Sequence, residues 1–92
     1  MIYDVLIIGC GVVGASMAYT LGQRDVSVCV LEKHNDVCMG ATKANSAILH
    51  AGFDCPIGSV EARLNLHGIR MAREICNKLD VRYRDIPTFV IA

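Results

Sequence analysis

Ninety-two residues leave room for at most one small domain, which buries about 60–65% of its extended-chain surface on folding. Nine basic and nine acidic side chains cancel, which excludes a global field favouring nucleic acid or an anionic membrane. A 53% hydrophobic content and a mean hydropathy of +0.41 imply a densely buried sheet or a piece of a larger core, and the apolar end Phe89-Val90-Ile91-Ala92 points to a fragment.

Residues 2–8, Ile2-Tyr3-Asp4-Val5-Leu6-Ile7-Ile8, are apolar or β-branched with almost no alternation, the pattern of a strand buried on both faces. From Val12 to about Gln23 the spacing becomes helical. Val13, Met17 and Leu21 recur at four-residue steps, Gly14, Ala15 and Ala18 form a small-residue face that suits close packing on a sheet, and Gly22 is a stop signal. Val26–Leu31 is again β-rich and ends at Glu32. Strand, crossover helix and strand make a βαβ unit with parallel strands.

Residues 33–56 are rich in small and polar side chains and lack a helical period; only Ser46–Ala51 could form a short turn or strand. A loop of that length in a compact domain, containing Ile48, Leu49 and Phe53, reads as a binding loop. Residues 59–79 return to a helix, with Ser59 as N-cap and Glu61 in the first turn. Leu64, Gly68, Met71, Ile75 and Leu79 form its expected core-facing stripe, with Ala72 and Cys76 beside it, while Arg63, Arg70, Arg73, Asn77 and Lys78 face away. Arg82-Tyr83-Arg84 reads as a solvated turn or helix end, and Pro87 precedes a strand-like Thr88–Ile91.

The chemistry-bearing motif is G-x-G-x-x-G at Gly9, Gly11 and Gly14, set directly after a strand and opening a helix. Gly9 suits the tight turn, Gly11 admits a diphosphate close to the backbone, and Gly14 lets helix and strand approach. Unpaired N–H groups and the helix dipole favour the phosphates. Glu32, 18 residues beyond Gly14 and 23 beyond Gly9, is placed to accept from the ribose hydroxyls and to repel a 2′-phosphate. An ADP-containing dinucleotide other than NADP is the expectation. The fingerprint itself does not separate FAD from NAD; Gly40-Ala41-Thr42-Lys43-Ala44-Asn45-Ser46, with many N–H groups and little bulk, favours a flavin held along its ribityl chain.

VLIIGCGVVGASMAYTLGQRDVSVCVLEK followed by GATKANSAILHAGFD resembles the start of FAD-dependent oxidoreductases of the D-amino-acid-oxidase superfamily, and within it the flavin glycerol-3-phosphate dehydrogenase type and its neighbours, including L-2-hydroxyglutarate oxidases. The resemblance covers essentially the whole chain. It implies an α/β, Rossmann-like βαβ FAD/NAD(P)-binding fold with a parallel sheet, of which residues 1–92 are the N-terminal part and from which the substrate domain is missing. It also implies that Gly9, Gly11, Val13 and Gly14 line the diphosphate and that Glu32 binds the adenosine ribose beside Lys33. Thr42, Asn45 and Ser46 would contact the diphosphate and ribityl region of FAD, and His50 would fall near the flavin ring; read from the residues alone, His50 is instead a histidine hydrogen-bonded within the loop.

The implied enzyme oxidises a small hydroxy acid or polyol phosphate, or an amino acid, and passes electrons to a quinone, another acceptor or O₂; the 92 residues alone are expected to be inactive. A non-catalytic ADP-binding module and an NAD-dependent enzyme are the other readings. His34 and His67 read as surface residues, and no metal-ligand spacing or Ser-His-Asp arrangement is present. The five cysteines are odd in number, with no C-x-x-C pair and no secretory signal, so free thiols in the cytoplasm are expected, with peripheral membrane association left open and no integral span. Cys10 and Cys29 read as small core residues.

Overall fold

A computed structural model describes residues 1–91, in two units: 1–47, and 48 onward. The first is the expected βαβ unit. Strand β1 (Val5–Ile8) leads into helix α1 (Val12–Leu21), and strand β2 (Val28–Leu31) returns parallel to β1, pairing Val5 with Val28 through to Ile8 with Leu31.

A reciprocal clamp starts the ladder. Asp4 Oδ2 accepts from both the N–H (2.8 Å) and the hydroxyl (2.7 Å) of Ser27, whose oxygen accepts the Asp4 N–H at 3.0 Å. The ladder begins at this clamp, so the strands expected over 2–8 and 26–31 shorten to their paired centres. Hydrogen bonds from the two Ser27 groups hold the Asp4 carboxyl below the ordinary carboxylate range.

Helix α1 lies against both strands. Its partly covered positions are Gly14, Ala15, Ala18 and Leu21, while Val13 and Met17 look outward. The small-residue face therefore does the packing, and the expected Val13–Met17–Leu21 stripe keeps only its last member. The helix ends at Gly22, which stays right-handed (φ −63°), so this stop does not use glycine's left-handed freedom.

Of the two expectations from the apolar content, a densely buried sheet or a piece of a larger core, the first is not met. Ile7, 7% exposed, is the buried hydrophobic residue among those described, whereas Ile8 is 84% exposed. Parallel strands are ordinarily covered on both faces, and here two four-residue strands meet a single ten-residue helix. Cys10 and Cys29 are likewise only partly buried, and all five cysteines are free.

Beyond β2 the chain makes one 3₁₀ turn at Ala41–Lys43. Ser46–Ala51 forms neither the expected turn nor a strand.

The second unit is built on helix α2 (Val60–Lys78). Ser59 Oγ accepts the Ala62 N–H at 3.1 Å, the expected N-cap. At the other end Asp80 is left-handed (φ 53°), Val81 N–H donates to Cys76 O at 2.8 Å and Asp80 N–H to Asn77 O at 3.3 Å. That is a Schellman stop with aspartate where glycine is usual.

The covered face of α2 differs from the expected one. Ala62, Asn65, Ile69, Ala72 and Cys76 are partly covered, while Leu64, Met71, Ile75 and Leu79 are exposed. The chain beyond α2 is irregular, without the strand expected over 88–91, and is tied back where Arg73 donates to Tyr83 Oη (2.8 Å) and Asp85 Oδ2 (3.3 Å). Among the described residues no helix is long and apolar enough to cross a membrane, and no cluster of His, Cys, Asp or Glu could hold a metal.

Candidate functional site

The site forms where β1 turns into α1. Gly9 takes φ +95°, a conformation that a side chain would strain, and donates its N–H to Leu31 O at 2.7 Å. Cys10 is held from both sides: its N–H donates to Glu32 Oε2 at 2.8 Å, and its carbonyl accepts the Cys38 N–H at 2.9 Å. Gly11 is the N-cap of α1. Gly14 lies so close to Gly9 that a Cβ there would run into the Gly9 carbonyl oxygen, with Ile7 Cγ2 3.4 Å away.

Of the donors at the start of α1, Val12 N–H is taken by Thr42 Oγ1 at 3.0 Å. The N–H groups of Gly11, Val13 and Gly14 have no acceptor among the described residues. Three donors at the positive end of a helix dipole, beside glycines with no side chain, suit an anion.

Glu32 supplies the opposite chemistry at the end of β2. Its Oε1 accepts the His34 N–H at 2.9 Å, so both carboxylate oxygens are oriented by backbone donors. The Cys10 N–H foremost, then the His34 N–H, pull its pKa below the ordinary glutamate range against a small opposing effect of desolvation. The group is anionic at neutral pH and keeps further lone pairs for hydroxyl donors.

The fold thus brings Gly9, Gly11, Gly14, Glu32 and Thr42 together. Val13 is the second residue of α1 with its side chain outward, and Lys33 is exposed next to Glu32. Asn45 closes its own loop: Nδ2 donates to Ala41 O (3.0 Å) and Thr42 O (2.8 Å), and Oδ1 accepts the Ala47 N–H (2.8 Å). Ser46 is exposed beside it. His50 belongs to the second unit, its Nδ1 lying 3.7 Å from Asp54 Oδ2.

Sequence reasoning missed Cys38, a left-handed residue (φ 58°) bonded to the glycine turn, and the capping use of Thr42. A loop cysteine carries no sequence signal for such a contact, whereas a threonine near a helix start is a recognised cap candidate that distance along the chain concealed.

Comparison with known proteins locates this geometry in a family. The FAD dependent oxidoreductase family matches residues 4–92. A glycerol 3-phosphate dehydrogenase of Caloramator mitchellensis is 43% identical over 98% of this chain and 19% of its own length. An L-2-hydroxyglutarate dehydrogenase of Dictyostelium discoideum is 30% identical over 99% of the chain and 21% of its own. A glycerol 3-phosphate oxidase of Mycoplasma genitalium is 34% identical over 97% and 23%. The chain therefore spans about a fifth of the length of these relatives. No solved structure gives a significant match.

Proposed function

The chain belongs to the FAD dependent oxidoreductase family, and from that membership we propose that residues 1–92 are the N-terminal part of the FAD-binding domain of a flavin dehydrogenase or oxidase acting on a polyol phosphate of the glycerol 3-phosphate kind. The cofactor of the family is FAD, and the turn fits its ADP half. The free N–H groups of Gly11, Val13 and Gly14 are the donors for the diphosphate. A Cβ on Gly11 would stand 3.0 Å from Thr42 Oγ1, which supports the cradle's need for glycine. Glu32 receives the ribose hydroxyls, with Lys33 beside it. Thr42, Asn45 and Ser46 carry the loop that follows the diphosphate and ribityl chain, and His50 belongs near the flavin ring.

FAD supplies the two-electron redox chemistry when bound. This chain's residues bind and orient it; the substrate domain lies outside residues 1–92, and these residues alone are inactive. The partners are the remainder of the domain, a small-molecule substrate and an electron acceptor such as a quinone. The location is the cytoplasm, with peripheral membrane association compatible with a quinone acceptor.

The observation that carries this reading is the glycine turn with three unpartnered donors, tied through the Cys10 N–H to Glu32 at the end of β2. Preference for glycerol 3-phosphate rests on the 43% identity to the Caloramator protein. The second reading, an L-2-hydroxyglutarate enzyme, rests on relatives of that name at 30% and 32% identity. Anaerobic mixing of the yellow, flavin-loaded intact protein, residues 1–92 together with its substrate domain, with each substrate separates them. Bleaching by glycerol 3-phosphate is expected; bleaching by L-2-hydroxyglutarate alone selects the second reading, and a protein that purifies with NAD and no flavin contradicts both.

A further inference from the structure

Cys10 and Cys38 are remote in sequence and joined by one backbone hydrogen bond, Cys38 N–H to Cys10 O at 2.9 Å. A bridge of that length keeps their Cα atoms within roughly 7 Å, against the span of about 4.4–6.8 Å that disulfides use. Both are free thiols and partly buried, and Cys38 is held left-handed (φ 58°), a conformation a side chain adopts at some cost. Cys29 lies in β2, and Cys55 and Cys76 lie in the second unit. The same loop is fastened again at Thr42, whose hydroxyl oxygen caps Val12.

We propose that Cys10 and Cys38 are a redox-active pair that closes a disulfide across the glycine turn, and that the bridge locks the 33–47 loop onto the turn so that a dinucleotide enters and leaves slowly. The pairing rests on the Cys38–Cys10 backbone bond and the Cα spacing that bond sets; the lock rests on the reading of the turn as a dinucleotide site. With hydrogen peroxide as oxidant, one thiolate attacks a peroxide oxygen, the O–O bond breaks, and a sulfenic acid and one water result. The second thiol attacks that sulfur, the S–S bond forms as the S–O bond breaks, and a second water leaves. Two electrons and two thiol protons have passed to the peroxide.

The test maps cysteines in the reduced protein after peroxide treatment, alkylation and digestion without reductant. The expected product is one cross-linked peptide pair containing Cys10 and Cys38, two hydrogens lighter than the reduced pair, with Cys29, Cys55 and Cys76 alkylated. Sulfinic acids without that link, or links scattered among other cysteines, overturn the pairing. Protein oxidised before loading should take up FAD about tenfold more slowly or less, with the rate restored by dithiothreitol; equal rates overturn the lock. Failure of the reduced protein to bind FAD at all overturns the site reading and the lock together, while the mapped cross-link still decides the pairing on its own. Cys38→Ser should abolish the peroxide effect. Should that variant fold poorly, the triple variant Cys29→Ser/Cys55→Ser/Cys76→Ser, which keeps only the pair, should still give the cross-link, and its absence there overturns the proposal.

Discussion

Glu32 Oε2 accepts the Cys10 N–H at 2.8 Å, which fixes the acid at the end of β2 to the middle of the glycine turn. The two halves of the site are thus one hydrogen-bonded unit. Glu32→Gln leaves one amide oxygen for two backbone donors and removes the charge that strengthens both bonds. We expect ADP affinity to fall by roughly tenfold, and Glu32→Ala to lose more. Calorimetric titration with ADP checks this; unchanged affinity in Glu32→Ala would remove the acid from the site.

Gly14 and Gly68 should respond to alanine with opposite signs. At Gly14 the new Cβ meets the Gly9 carbonyl oxygen, and at Gly68, exposed in α2, it meets nothing within 4 Å. Gly14→Ala should destabilise by about 1–3 kcal/mol, because backbone must shift to admit the methyl group. Gly68→Ala should stabilise by up to about 1 kcal/mol through helix propensity. Urea unfolding of the two variants measures both.

Thr42→Val keeps the shape of the side chain but takes the acceptor from Val12 N–H, a bond of 3.0 Å. A lost N-cap costs about 1 kcal/mol, and Thr42→Ser, which keeps the oxygen, should recover most of it. Faster amide exchange at Val12 in the valine variant, but not in the serine variant, would report the same event locally.

Asp4 gives the acid side of the stability profile its shape. Its carboxyl is lowered in the folded chain by Ser27, so the stabilisation is present above the unfolded value of about 4 and is lost as pH falls through the folded value. Glu32, lowered by Cys10 and His34, acts in the same direction. The thermal midpoint should hold from neutral pH to about 5 and drop below about 4, with a smaller drop in Asp4→Asn. An equal acid loss in that variant would assign the effect to other groups.

Asp80 occupies a left-handed position at the end of α2, where its charge also faces the negative pole of the helix. Asp80→Gly should stabilise by about 0.5–1 kcal/mol, read as a raised urea midpoint with unchanged slope.

The elements of the site, and the start of α2, were legible because each rests on local chemistry. The glycine spacing demands a turn, Glu32 ends a β-rich run, and Ser59 precedes a helical period. Features set by distant partners were not legible. Ile2 and Tyr3 look like strand but lie outside the ladder, which begins at the Asp4–Ser27 clamp. The apolar pattern of α2 identifies Leu64, Met71, Ile75 and Leu79 as greasy, yet the partial cover falls on Ala62, Asn65, Ile69, Ala72 and Cys76. Periodicity shows which side chains share a face, and only packing decides which face is covered. Cys38 on Cys10 and Thr42 on Val12 are loop contacts of the same kind, fixed by where the loop travels.

Titration of the purified, cofactor-stripped protein with FAD and with ADP tests the central claim most directly. Both should bind, FAD more tightly, and Gly11→Val, whose side chain would crowd Thr42 Oγ1 and the diphosphate cradle, should abolish both. Equal, weak affinity for the two ligands, or binding that survives Gly11→Val, would contradict it.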